Sequence, residues 1–264
     1  MTSKKDCVLD IKSVQSNNIK ILFEVLKEVL VTDINLIFTP THIKAIEKDG
    51  KEKAMVHLYL ESSAFEHYYC EKEKITVGIN TTNFFKIIKN ATPNDVISFY
   101  IERNKEDFIV IRKENSEESK ISESKLKILD IHCDYTEKLH PVEFESEISM
   151  PSTKFQKYMK ELKSLGLDPI LEIKSIGQQI IFSCIGDFSD NKIALGNSEN
   201  VKFEKNSKTI IQGMFSLNFL ILFTKATNLC QTVHLYMKND SPLFLKYTVG
   251  NLGCLKFILK PEKI

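Results

Sequence analysis

SLNFLILFTKATNLCQTVHLY, residues 216–236, is a stretch the chain carries twice, its earlier copy being TTNFFKIIKNATPNDVISFY at 81–100. Asn83-Phe84 aligns with Asn218-Phe219, Ile87-Ile88 with Leu222-Phe223, and Ala91-Thr92 with Ala226-Thr227, all at a separation of 135 residues. Past a short gap, Val96 and Tyr100 fall over Val233 and Tyr236. A second pairing, at a separation of 133, sets Leu26-Lys27-Glu28 over Met159-Lys160-Glu161. Separations near half of a 264-residue chain read as an internal duplication. Each half then runs helix, strands, helix, strands.

Working outward, residues 8–14 alternate as a strand does, and Asn17-Asn18 forms a turn or N-cap. Residues 19–30 carry apolar side chains at 19, 22, 23, 26, 29 and 30, a helix with one buried face. Lys20 and Lys27 share its other face with Glu24 and Glu28. Strands follow near 33–38, 42–47, 55–60, 68–70 and 75–79. The repeated stretch predicts a helix over 81–91, with Thr81 or Thr82 as N-cap. Phe84, Phe85, Ile87, Ile88 and Ala91 face inward there, and Lys86, Lys89 and Asn90 face outward. Residues 96–101 and 108–112 read as a hairpin.

Composition changes at Lys113, where KENSEESKISESKLK (113–127) is rich in Ser, Glu and Lys. This predicts an outer strand near 119–127 and a crossover to about residue 143, so the domains are 1–127 and 144–264, joined by a connecting loop at 128–143. A third helix spans 152–165, with Phe155, Tyr158, Met159 and Leu162 inward, Lys154, Lys157, Lys160 and Lys163 gathered outside around Glu161, and Gly166 as its C′ stop. The fourth helix is the opening stretch, with Lys225 near its C-terminal end. Further strands are read near 170–173, 179–184, 192–195, 201–204, 209–214, 232–237, 243–249 and 255–259.

With 42% hydrophobic residues and a formal charge of +1, the chain holds two medium domains and shows no global bias toward nucleic acid. No apolar run approaches the length of a bilayer span, and MTSKKDCVLDIK lacks a signal-peptide core, so the chain reads as intracellular, with no membrane partner. Six scattered cysteines without a C-x-x-C pair suit buried thiols rather than disulfides or zinc. Of 36 basic residues only Arg103 and Arg112 are arginine. Lysine serves phosphates as a point charge, whereas base reading leans on the arginine fork.

Catalytic motifs are missing: neither phosphate-binding glycine loop, no nucleophile elbow and no H-E-x-x-H. His132-Cys133-Asp134 sits in the irregular connector, where nothing fixes mutual geometry, and His57 and His234 fall within strands. No catalytic residue, metal ligand or cofactor is assigned. What remains is four amphipathic helices with lysines on their polar sides. Placed side by side, they form an extended cationic surface suited to phosphates without base selection.

FTKAT (223–227), SPLFLKYTVGNLGCLKFILKP (241–261), FEHYYC (65–70), VGIN (77–80) and MPS followed by Phe155 resemble the eukaryotic sliding clamp family, proliferating cell nuclear antigen, over essentially the whole chain. The resemblance implies an α+β fold: two copies of the DNA-clamp (processivity) fold per chain, antiparallel sheets outside and two helices per domain lining a central channel. Three chains would close head to tail as a homotrimer around double-stranded DNA. The inter-subunit strands would match 119–127 and 188–197, with Ile121, Ile193 and Leu195 in the interface.

The family's channel-lining cations fall on Lys20, Lys27, Lys86, Lys89, Lys157, Lys160 and Lys225, and helix position adds Lys163. Partners of the family, DNA polymerase among them, dock a short motif (the PIP-box) beneath the connecting loop. The matching positions are Leu139, Pro141, Pro242, Ile258 and Pro261, with Ile46 added. Ile258 and Lys260 depart from the family's aromatic and small residues, and the connecting loop is about two residues longer. Ser175 stands at the family's modifiable lysine, and the family's acidic tail is missing after Lys263-Ile264. The resemblance also implies a clamp loader of the replication factor C type and action in the nucleus or at a viral replication site. Divergence and Lys, Asn and Ile usage fit a large DNA virus or a protist. A checkpoint-type subunit of a heterotrimer and a monomeric processivity factor are the alternatives.

Overall fold

Residues 6–29, 33–132, 142–165, 170–186 and 189–262 are described by the structure, a computed structural model. The predicted Gly166 stop, Cys133, Asp134, Leu139, Pro141 and the start of the 188–197 strand lie outside these residues.

In chain order the first half is β1 (Cys7–Ser13), α1 (Ser16–Val29), β2 (Asp33–Phe38), β3 (His42–Lys48), β4 (Ala54–Glu61), β5 (His67–Cys70), β6 (Ile75–Asn80), α2 (Thr81–Ile88), β7 (Asp95–Glu102), β8 (Phe108–Asn115) and β9 (Lys120–Lys127). The second half repeats the same order: β10 (Ser146–Pro151), α3 (Ser152–Leu165), β11 (Ile170–Ile176), β12 (Gln179–Ile185), β13 (Asp190–Gly196), β14 (Lys202–Lys205), β15 (Ile211–Ser216), α4 (Leu217–Phe223), β16 (Thr232–Met237), β17 (Leu243–Val249) and β18 (Gly253–Leu259). First-half strands run β5-β1-β7-β8-β9 and β4-β3-β2-β6; second-half strands run β14-β10-β16-β17-β18 and β13-β12-β11-β15. The two orders are identical strand for strand. The chain divides into two compact units, Met1–Glu47 with His57–Thr136 and Thr248–Leu255, and Lys48–Val56 with Glu137–Tyr247 and Lys256–Ile264.

Alternation drives the sheets. Along β4 every second residue, Ala54, Val56, Leu58 and Leu60, is buried, as a strand with one face on a core requires. The helices cover those inner faces. In the first half Ile19, Leu22, Phe23 and Leu26 of α1 and Phe84 and Ile88 of α2 are buried, with the Phe84 ring 4.1 Å from Phe23 and 5.7 Å from Phe99. In the second, Phe155, Met159 and Leu162 of α3 and Leu217, Leu220 and Phe223 of α4 are buried, and Phe223 stacks on Phe257 at 4.5 Å. Each full burial of such a side chain contributes about 1.5–3 kcal/mol.

Several sequence expectations shift. Ser16 and Ser152, the first residues of α1 and α3, lie 136 apart, as do Thr81 and Leu217, the first residues of α2 and α4. One separation of 136 therefore replaces 135 and 133, pairing Phe84 with Leu220 and Phe23 with Met159. α1 begins three residues before the predicted start: the Ile19 amide already donates to the Gln15 carbonyl at 3.1 Å, and the buried Ser16 anchors this first turn, its hydroxyl donating to the Thr92 carbonyl at 2.7 Å. The N-cap of α2 is Asn80, not Thr81 or Thr82: its side-chain oxygen accepts from the Asn83 amide at 2.9 Å. α2 stops at Ile88, and Phe85, Ile87 and Tyr158 are not core residues. α4 is two turns long and passes into a 3₁₀ turn, Thr224–Asn228, so Lys225 stands on that turn. Among the described residues no helix is long and apolar enough to cross a membrane.

Candidate nucleic-acid interface

Within each half the two helices lie against one another, α1 on α2, and α3 on α4 and its 3₁₀ turn. Each buries one face in its sheet and leaves a polar face outward. Lys86 stands at the outer surface of α2 and Lys89 is exposed at its C-cap; Lys157 and Lys160 are exposed on α3, and Lys225 on the 3₁₀ turn. The other three predicted lysines make contacts within the fold. Lys20 is half-buried and its ammonium donates to the Ala91 carbonyl at 2.9 Å. Lys27 lies 3.6 Å from Glu28 and 4.5 Å from the Phe85 ring centroid, a cation–π contact from α1 to α2. Lys163 donates to the Asn218 side-chain oxygen at 2.9 Å.

The end of α2 is held from three sides. Besides Lys20 on Ala91 and Ser16 on Thr92, the Lys113 ammonium donates to the Ile87 carbonyl at 2.8 Å. Positive charge at helical C-terminal carbonyls is favourable, although burial pushes the Lys113 ammonium down from its ordinary value. Asp95 braces the following turn, accepting from the Thr92 amide and the Asn115 side chain, both at 2.8 Å. Burial pushes the Asp95 carboxyl up, but these hydrogen bonds outweigh it and hold the group below the usual carboxylate range.

Of the predicted edge residues, Ile121 on β9 is 62% exposed, and Ile193 and Leu195 share one half-buried face of β13. β9 pairs with β8 and β13 with β12, and each ends its sheet, leaving one backbone edge open among the described residues.

Of the partner-peptide positions, Ile46 is half-buried on β3, in the first unit. Pro242 and Pro261 are half-buried in the second unit, where Ile258 is 6% exposed and so belongs to the core beneath that surface. The C-terminal segment is pinned by Lys260 N–H on the Lys53 carbonyl (2.9 Å), Glu262 N–H on the Met214 carbonyl (2.8 Å) and a Lys53–Glu262 ion pair at 2.7 Å. Beside it a groove of about 740 Å³ is lined by Ile210, Met214 and Pro261, with Glu172, Asp240 and Glu262. Sequence reasoning passed over Ile210, which is 49% exposed next to the buried Ile211.

The connecting segment starts in a fixed path. Leu129 N–H donates to the Gly78 carbonyl at 2.8 Å, and the buried Asn35 side chain donates to the Ile131 carbonyl at 3.1 Å. A Cβ at Gly78 would overlap the Leu129 carbonyl oxygen, so glycine is required by close approach. Ser175 is buried and bonded to Ser146 at 2.8 Å, offering no amine at that position. His132 is exposed, and among the described residues no group of His, Cys, Asp and Glu could hold a metal ion.

Two repeats of antiparallel sheets, each covered by two helices, define the DNA-clamp fold. Residues 8–137 match the model of the proliferating cell nuclear antigen N-terminal domain, and residues 138–262 that of its C-terminal domain. A probable DNA polymerase sliding clamp 1 of Paramecium bursaria Chlorella virus 1 is 34% identical over 255 residues, covering 95% of both chains. The proliferating cell nuclear antigen of Chaetomium thermophilum is 28% identical over 260 residues, covering 97% of this chain and 98% of that one. The chain belongs to the proliferating cell nuclear antigen family, whose members are processivity factors and not enzymes.

Proposed function

We propose that three copies of this chain close head to tail into a ring that encircles duplex DNA and tethers its polymerase. The observation that carries this reading is the pair of equivalent helical layers, which hold Lys86 and Lys89 in one repeat and Lys157, Lys160 and Lys225 in the other. Lysine contacts to phosphates are individually weak and carry no sequence information, so the ring holds DNA by topology and slides. The open edges of β9 and β13 support closure, since pairing one with the other on the next copy would satisfy both backbones.

Polymerase and other PIP-box proteins dock on the second domain near Pro242 and Pro261, a clamp loader of the replication factor C type opens the ring, and the work is done in the nucleus or at a viral replication site. The domains are 1–127 and 144–264, linked by 128–143. The test is primer extension on a long circular template with loader and polymerase. Longer products in the presence of the protein are expected; equal lengths with and without it would overturn the reading. A chain that remains monomeric yet lengthens products would replace the ring with an open factor.

A further inference from the structure

The two repeats treat one position in the same way with different chemistry. Lys20 on α1 and Gln156 on α3 are 136 residues apart, the separation that relates the helices. Lys20 Nζ donates to the Ala91 carbonyl at 2.9 Å, three residues past the end of α2; Gln156 Nε2 donates to the Thr224 carbonyl at 3.0 Å, one residue past the end of α4. The donors are equivalent and each reaches the chain leaving its second helix, though at a different residue. Two helical turns on, Lys27 and Lys163 are again equivalent, and again each reaches from the first helix to the second, onto the Phe85 ring and the Asn218 side chain.

We propose that Lys20 is a positioning residue, one end of an inter-helix brace that starts from the same helical position in both repeats, and not a phosphate contact. A neutral amide at the equivalent position of the second repeat also donates to a carbonyl beyond its second helix, so hydrogen-bond donation is the shared task and charge is not required for it. The brace fixes the short helix α2, which has only eight residues to hold itself. It thereby sets where Lys86 and Lys89 stand. This inference rests on the reading of the lysine layer as a DNA-facing surface.

The experiment compares Lys20→Gln with Lys20→Met in the full chain. Two readouts are taken: amide hydrogen exchange at Lys89, Ala91 and Asp95, whose N–H groups bond Phe85, Ile88 and Thr92, and the salt dependence of binding to a short mixed-sequence duplex. Lys20→Gln should leave both unchanged. Lys20→Met should speed exchange at those amides about fivefold, the weight of one net hydrogen bond, and keep the slope of log K against log salt. Lys86→Gln, which removes a cation facing the DNA, should lower that slope by about 0.9 for each phosphate no longer neutralised. A slope lowered by Lys20→Gln as much as by Lys86→Gln would overturn the proposal, as would unchanged exchange in Lys20→Met. If Lys86→Gln and Lys160→Gln also leave the slope unchanged, the DNA-facing reading fails, while the exchange data still judge the brace.

Discussion

The first and second halves share one strand order and one helical separation, yet they place their charge differently. At positions 136 apart, Ile21 corresponds to Lys157 and Glu24 to Lys160, so the outward side of α1 carries an acid where that of α3 carries a base. On the second helices the balance reverses: Lys86 corresponds to Leu222, while Lys89 and Lys225 are retained. Each half therefore shows lysines on its helical layer, carried mainly by α2 in one and by α3 in the other. Buried positions must fill a fixed volume and contacts between helices must meet, so both persist through duplication. On the proposed reading, exposed cations need only face a phosphate backbone, which would tolerate their migration from one helix to its neighbour.

The largest effects should come from the shared core. Phe84→Ala removes the ring lying between Phe23 and Phe99, and Phe223→Ala the one stacked on Phe257. Each should cost about 3–5 kcal/mol in denaturant unfolding. Hydrogen exchange should speed first in the mutated half; equal loss in both halves would deny that the repeats are separate cores.

A smaller effect sharpens the difference between halves. Asp95 ties the turn after α2, whereas the stretch entering β16 carries Gln231 and Thr232 and no carboxylate. Asp95→Ala should destabilise by about 1–3 kcal/mol at neutral pH, by leaving the buried Asn115 side-chain amide without its acceptor. Because the folded-state value is depressed, the stabilisation is present above the unfolded value of about 3.9 and is lost as pH falls from there toward the folded value. Melting temperatures of parent and variant should converge on acidification. A difference that widened toward low pH would contradict the assigned sign.

The smallest effects in stability lie in the exposed charges, where single substitutions should shift unfolding by less than about 0.5 kcal/mol. They should act on DNA instead. Glu24→Lys gives the first half the cation that the second carries at Lys160, and should steepen the salt dependence of duplex binding. Charge reversal at Lys86 and Lys160 together should flatten it and impair loading while the assembly stays intact. Opposite signs for these two changes, measured by titration at several salt concentrations, are the expected result; unaltered binding in the double reversal would refute the surface.

Much of this was legible before the fold was known, because alternation and helical periodicity report burial directly. The strand at Lys120–Lys127 was readable as an outer one from its poverty in large apolar residues. The repeat was visible too, but its register was not. A match of Asn-Phe at 83 and 218 drew the alignment one residue off, since Phe84 and Leu220 fill the same buried position with different side chains. Helix position also placed all eight lysines on polar faces without separating them by role. Whether an ammonium meets solvent or a carbonyl depends on the neighbouring helix: nothing in the spacing of Lys20 announces Ala91, seventy-one residues away. Ile258 shows the converse, a position matched by family resemblance whose side chain lies under the surface.

The most direct test of the ring is the solution mass of the protein by light scattering over a dilution series, with β9 and β13 as the edges at stake. Three times the mass of one chain, persisting on dilution and lost when Ile121 and Ile193 are both changed to aspartate, is the predicted result. A mass of one chain at every concentration would contradict the closed clamp.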